Sequence, residues 1–213
     1  MDELIVQVCR CIASYPRLRI LTIIARRSEL PPSELARELK IPFPQVCNDL
    51  RRLAAVGLIQ RRHSGSRCYC QAKSPYKDTT LSGKVSRWLF SILKQEATSL
   101  HPAGSLRKRN APVKGEPLLY QDIFKSATVF TNLRRVQILR YVATHPSNNV
   151  ETLTQNLSMS PSALSRHCAK LMRRGVLKEK FSDGQLQYQM AASLPNPTLQ
   201  RLLGIVRDHW AQR

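Results

Sequence analysis

Long apolar runs are missing from this chain. No stretch reaches the roughly 18 consecutive apolar residues of a membrane-spanning helix, so no membrane partner is expected. The opening MDELIVQVCRCIAS is acidic at its tip and lacks the basic flank and small-residue cleavage site of a secretory signal. A cytoplasmic protein is the expectation. Catalytic motifs are missing as well. There is no phosphate-cradling glycine loop, no H-E-x-x-H run and no paired carboxylates in an apolar setting, and the five histidines are scattered. No catalytic residue and no enzyme activity are therefore expected.

Cysteine is present but poorly spaced for ligation. The six stand at 9, 11, 47, 68, 70 and 168. Cys9 and Cys11 on a helix point about 200° apart, so one helix cannot chelate with both. Cys68 and Cys70 share a strand face but align with apolar residues of a repeat described below. The expectation is free thiols acting as small core hydrophobes, with no metal and no cofactor.

Acidic residues are scarce, and this shortage turns the reading toward function. Lys and Arg number 34 against 14 Asp and Glu, a formal charge of +20. The excess is spread along the chain: 17 basic and 8 acidic residues in 1–96, 4 and 1 in 97–118, and 13 and 5 in 119–213. Such an imbalance points to a polyanion partner.

Laid against itself at an offset of 118 residues, Arg17 to Ala72 overlays Arg135 to Met190 without a gap. Identical pairs include Arg17 with Arg135, Ile20 with Ile138, Leu35 with Leu153, Leu53 with Leu171, and Gly57 with Gly175. Amphipathic segments precede the copies at Glu3 to Ala13 and Tyr120 to Phe130, and follow them at Lys84 to Lys94 and Thr198 to Trp210. Thr98 to Pro117, TSLHPAGSLRKRNAPVKGEP, has the composition of a linker. The expected domains are 1–97 and 119–213, joined by a basic linker over 98–118.

In the second copy, Arg135 to Thr144 has helical apolar spacing and stops at HPSNN. A short helix follows over Val150 to Leu157. In SMSPSALSRHCAKLMRRG, Ser160 is a good N-cap, Pro161 suits the first helical position, and Gly175 supplies a left-handed stop. Leu164, Cys168 and Leu171 form one buried stripe, which turns a small, polar and basic face outward. VLKEKFSDGQLQYQM then alternates around Asp183-Gly184, a strong hairpin signal. Helix, short helix, turn, helix and basic hairpin make a winged helix-turn-helix. The first copy repeats the order, with Val46, Leu50 and Leu53 as its stripe and Gln45, Asn48, Asp49 and Arg52 as its outward set. The expected fold is mainly α with small β-hairpin wings, as tandem winged helix-turn-helix domains.

The run ILRYVATHPSNNVETLTQNLSMSPSALSRHCAKLMRRGVLKEKFSDGQLQY resembles the winged-helix domain of ArsR-type repressors. Ser160, Ser162, Ser165, Arg166, His167, Leu171, Gly175 and Leu177 occupy positions of that family's pattern, and Cys168 stands where a leucine is usual. The related MarR-type winged helices share the same order of elements. The resemblance implies DNA contacts at Ser162, Ser165, Arg166 and His167, and wing contacts at Lys178, Lys180 and the turn Ser182 to Gln185. The first copy departs from the pattern, with Pro42, Phe43 and Pro44 in place of a serine-rich helix start.

Phosphate pairing is expected from Arg51, Arg52, Arg61, Arg62 and Arg67 in the first copy, and from Arg166, Lys170, Arg173, Arg174, Lys178 and Lys180 in the second. Base reading is expected from Gln45, Asn48 and Arg52, and from Ser162, Ser165 and Arg166. Double-stranded DNA is the expected partner of a nucleoid-associated regulator, most simply a repressor. The alternative is an architectural or replication-type binder of plasmid or viral kind. The terminal helices of each domain are the expected pairing surfaces, within one chain or between two.

Overall fold

The computed structural model describes residues 1–27, 29–65, 67–96, 116–145, 148–182 and 184–212. In chain order they form α1 (Asp2–Ile12), α2 (Tyr15–Arg27), β1 (Glu29–Leu30), α3 (Pro32–Leu39), α4 (Phe43–Ala55), β2 (Gln60–Ser64), β3 (Arg67–Gln71), α5 (Leu81–Glu96), α6 (Leu118–Val129), α7 (Leu133–Thr144), α8 (Val150–Leu157), α9 (Pro161–Arg173), β4 (Leu177–Ser182), β5 (Gln185–Met190) and α10 (Pro197–Ala211). The architecture is mainly helical with small antiparallel sheets, as the apolar periodicities predict, and is consistent with winged helix-turn-helix domains.

Contacts group the chain into two units: Arg10–Phe124, and Met1–Cys9 with Lys125–Arg213. Grouping by contact therefore moves the first nine residues to the later unit and residues 116–124 to the earlier one, relative to the segments 1–97 and 119–213. The expected linker lies outside the described residues except for 116–118.

In the unit Arg10–Phe124, α2 is buried nearly all round, with Leu18, Ile20, Leu21 and Ile24 fully enclosed. A helix so covered belongs at the centre of its core. It also buries two polar residues, each given a partner from the 116–124 stretch. Arg19 is ion-paired with Glu116, and the Tyr120 hydroxyl donates to Thr22 Oγ1 at 2.7 Å. Phe124 stacks on Tyr15 with ring centroids 4.9 Å apart. These contacts explain why residues 116–124 group with this unit. The sheet runs β1-β3-β2, with Leu30 opposite Cys70 and His63 opposite Cys68.

In the other unit, α7 buries Val136, Ile138, Leu139 and Val142, and α9 crosses beneath it with Leu164, Cys168 and Leu171 at zero exposure. Side chains cap the helices here. Asn132 accepts from Arg135 N, Asn149 from Thr152 N, Ser160 from Ala163 N and Asn196 from Leu199 N. Each such cap contributes about 1 kcal/mol. By contrast, α3 and α4 begin at Pro31 and Pro42 with no side-chain cap. Asp2 pairs with Arg140 at 3.3 Å, holding the start of α1 to α7.

Bounds of α3 and α8, and of α4 and α9, fall 118 positions apart at both ends. The backbone repeats its unusual dihedrals in the same register: Lys40 and Ser158 at φ 53° and 48°, Gly57 and Gly175 at 70° and 67°.

Two helical glycines should respond oppositely to alanine. A Cβ on Gly83 would lie 2.2 Å from the Lys77 carbonyl oxygen, a backbone atom that cannot swing aside, whereas nothing lies within 4 Å of one on Gly204. Gly204→Ala should raise the thermal midpoint through a gain of about 0.5–1 kcal/mol in helix propensity. Gly83→Ala should lower it, with both read by circular dichroism melts.

Candidate nucleic-acid interface

Helix α9 buries its stripe, so the remaining positions of the helix must face away from α7. Ser162, Ser165, Arg166, Lys170 and Arg173 are all exposed, as is Arg174 just beyond the helix. The helix is 13 residues long, about 20 Å, and its cross-section suits a major groove about 12 Å wide. Arg166 lies back along its own helix, its Nε donating to the Ser162 carbonyl at 3.3 Å. Lys178 and Lys180 are exposed on β4, beside the far end of α9. Gly184 takes φ 72° in the wing turn, while Asp183 lies outside the described residues.

His167 stands apart from this set. It is half-buried, and its Nδ1 is enclosed without a hydrogen-bond partner. Burial holds its pKa below the ordinary value, aided by the cations Arg135, Lys170, Arg166 and Arg134. Beside it, Arg135 donates through Nη2 to the Thr128 carbonyl at 2.8 Å and to Thr131 Oγ1 at 2.9 Å, while its Nε is enclosed and unpartnered. The imidazole is thus turned to the inner flank of α9, where the resemblance implied a DNA contact.

In the unit Arg10–Phe124, α4 buries Val46, Leu50 and Leu53 and exposes Asn48, Arg51 and Arg52, with Gln45 half-exposed. The sequence expectation that Asp49 faces outward is corrected: it is 8% exposed and accepts from Arg17 Nη1 at 3.1 Å. Arg17 is further fixed by the backbone, its Nε donating to the Cys11 carbonyl at 2.6 Å and its Nη2 to that of Arg10 at 2.9 Å. Over this pair lies a cleft of ≈ 220 Å³ whose walls include Ser14, Gln45, Asn48 and Arg52.

Arg61 and Arg62 of the first hairpin are exposed but engaged. Arg62 pairs with Glu29 at 2.9 Å and lies over the Tyr69 ring. An exposed pair of that kind is weak enough for a phosphate to displace. Arg61 donates to Cys68 Sγ at 3.3 Å, and Arg67 belongs to β3 opposite Ser64. Cys68 is therefore half-buried beside a cation, a correction to its expected place in the core. Cys70 and Cys168 are core residues, their thiols pushed up to about 12 by burial. Among the described residues no cluster of three or more His, Cys, Asp or Glu is placed to hold a metal ion. No described helix is long and apolar enough to cross a membrane.

Sequence reasoning missed the pairing of Arg17 with Asp49 and the repulsion between Arg135 and a charged His167, although the repeat offset carried the signal. Arg17 aligns with Arg135, and Asp49 with His167. The same arginine is paired with a carboxylate in one unit, and in the other it opposes the charged form of an imidazole.

Residues 133–179 match the family described as "Bacterial regulatory protein, arsR family". The matched stretch begins at the first residue of α7 and ends within β4. Over 87 residues the chain is 29% identical to the arsenic resistance transcriptional regulator ArsR1 of Pseudomonas putida, a match spanning 41% of this chain and 61% of that protein. The chain thus covers less than two thirds of the length of this curated relative.

Two substitutions test the geometry. Asp49→Ala leaves the Arg17 cation mostly enclosed with only carbonyl partners, and should cost about 2 kcal/mol in chemical denaturation. For His167, the folded pKa lies below the ordinary 6.5, so the unfolded chain takes up this proton first as pH falls. Its contribution therefore lowers stability on acidification through pH 6.5 and vanishes well above it. His167→Gln should show a smaller loss of melting temperature between about pH 7.5 and about pH 5.5 than the parent protein.

Proposed function

We propose that this protein is an ArsR-type transcription regulator that binds double-stranded DNA through two unlike reading heads carried on one chain. The observation that carries this reading is the face of α9. Ser162, Ser165, Arg166, Lys170 and Arg173 are exposed above a fully buried stripe, inside the stretch that matches the arsR family. Arg166 and the two serines would read base edges, and Lys170, Arg173, Lys178 and Lys180 would pair with phosphates.

The coincidence of helix bounds at 118 positions supports a second head built on α4. Gln45, Asn48 and Arg52 would read there, with Arg51, Arg61, Arg62 and Arg67 on the backbone. Because the two reading sets differ in chemistry, the operator is asymmetric. The terminal helices of each domain would serve as pairing surfaces, within one chain or between two. The protein acts by occupying promoter DNA, as a repressor without catalysis, in the nucleoid-containing cytoplasm. The arsenic resistance in the relative's name is not carried over to this chain.

A second reading, an architectural binder guided by charge and shape, is favoured by the basic excess in all three parts of the chain. Selection of bound fragments from random DNA at physiological salt separates the two. An enriched, non-palindromic motif is the expected outcome. No motif, with an equally steep salt dependence on every duplex, would establish the architectural binder instead. Alanine at Lys170 or Arg173 should each lower the slope of log affinity against log salt by about one. Ser162→Ala should instead change which motif is enriched.

A further inference from the structure

The described surface carries few large apolar side chains, and the most exposed of them stands on the wing. Phe181 is 76% exposed, against 75% for Leu118 and 51% for Phe43. Its place follows from the hairpin register. Alternation along β4 puts Leu177, Glu179 and Phe181 on one face, with Leu186, Tyr188 and Met190 opposite them on β5. Leu177 and Tyr188 are buried. The pair Phe181 and Leu186 continues that core face one same-face step past Tyr188, about 7 Å, into solvent beside the turn.

The hairpin that carries this phenyl is braced. Asn149, the N-cap of α8, donates through Nδ2 to Gln185 Oε1 at 2.8 Å and forms a bridge with Gln187. Tyr188 N donates to the Asn148 carbonyl at 3.0 Å, and Ala191 N to that of Val176 at 2.8 Å. The phenyl is thus held out on a rigid lever. Lys178 and Lys180 are exposed on the opposite face of the same strand. The first hairpin has no such group, since 118 positions earlier stands His63.

One aromatic ring, on a strand whose other face carries two lysines, is too small an apolar area for a protein interface, which needs about 800 Å² on each partner. It has the form of a wedge for nucleic acid, in which cations hold the backbone while an apolar side chain enters between bases. We propose that Phe181 inserts into a base step of the bound duplex, partly unstacking it and bending the DNA at one end of the site. This rests on the DNA-binding reading above. It makes the chain selective for deformable pyrimidine–purine steps under the wing of the later unit alone.

The test uses the full chain with end-labelled mixed-sequence duplexes, one containing TA steps and one made only of G·C pairs. Affinity is followed by anisotropy across a salt series, and bending by energy transfer between dyes at the two ends. Phe181→Ala should weaken binding to the TA-containing duplex about tenfold, abolish the preference over the G·C duplex, and remove the change in end-to-end transfer. The salt slope should stay unchanged, because no phosphate contact is lost. Phe181→Leu should restore most of the bending. Lys180→Ala should lower the slope by about one while the bending persists. Equal affinity and equal bending for Phe181→Ala and the parent would overturn the wedge and leave DNA binding standing, as would a lowered slope in Phe181→Ala. Failure of the parent protein to bind either duplex would overturn the DNA-binding reading itself.

Discussion

Everything on the basic surface depends on the burial of three side chains on one short helix. Leu164, Cys168 and Leu171 are fully enclosed, and each contributes by loss of apolar surface from water. A 13-residue helix with that stripe inward has no freedom left in its rotation. Ser162, Ser165 and Arg166 must then stand on the far side, and Lys170 and Arg173 must continue them. The same constraint on Val46, Leu50 and Leu53 orients α4. Charge alone makes a sticky protein; burial turns the charge into an ordered face.

Within that common frame the two units differ at one matched pair of positions. Arg17 is held by a carboxylate and two carbonyls, so its charge is spent inside the unit. Arg135 bonds Thr128 and Thr131 instead, and with Lys170, Arg166 and Arg134 it opposes the charged form of His167, as burial does. One unit therefore places a neutralised pair beside α4, and the other an excess of positive charge beside α9. The difference reaches the helix starts too: proline without a side-chain cap before α4, a serine cap before α9.

Much of this was legible without coordinates. The cap at Ser160, the left-handed glycines at 57, 175 and 184, and the two stripes follow from local chemistry, because caps, positive φ and apolar spacing act over a few residues. The hairpin over 177–190 followed from alternation and the Asp-Gly turn. The repeat offset was visible as a pattern of apolar identities, and the helix bounds of α3, α4, α8 and α9 keep it to the residue. Most of the exposed positions of α4 and α9 were legible for the same reason, Asp49 excepted, since a helix period with one buried stripe leaves little choice about the other side.

The sequence by itself thus determined the elements, their order, the stripes and the basic faces. Tertiary structure alone decided which polar groups at the edges of those faces turn in. Asp49 is enclosed because Arg17, 32 residues away, reaches it. Arg62 is engaged because β1 brings Glu29 alongside, and Cys68 meets Arg61 across the hairpin. Likewise residues 116–124 belong with the earlier unit because Arg19 and Thr22, buried on α2, find partners in Glu116 and Tyr120 nearly a hundred positions on. Such choices are settled by the cost of burying an unpaired polar group, and that cost depends on neighbours that no local period specifies.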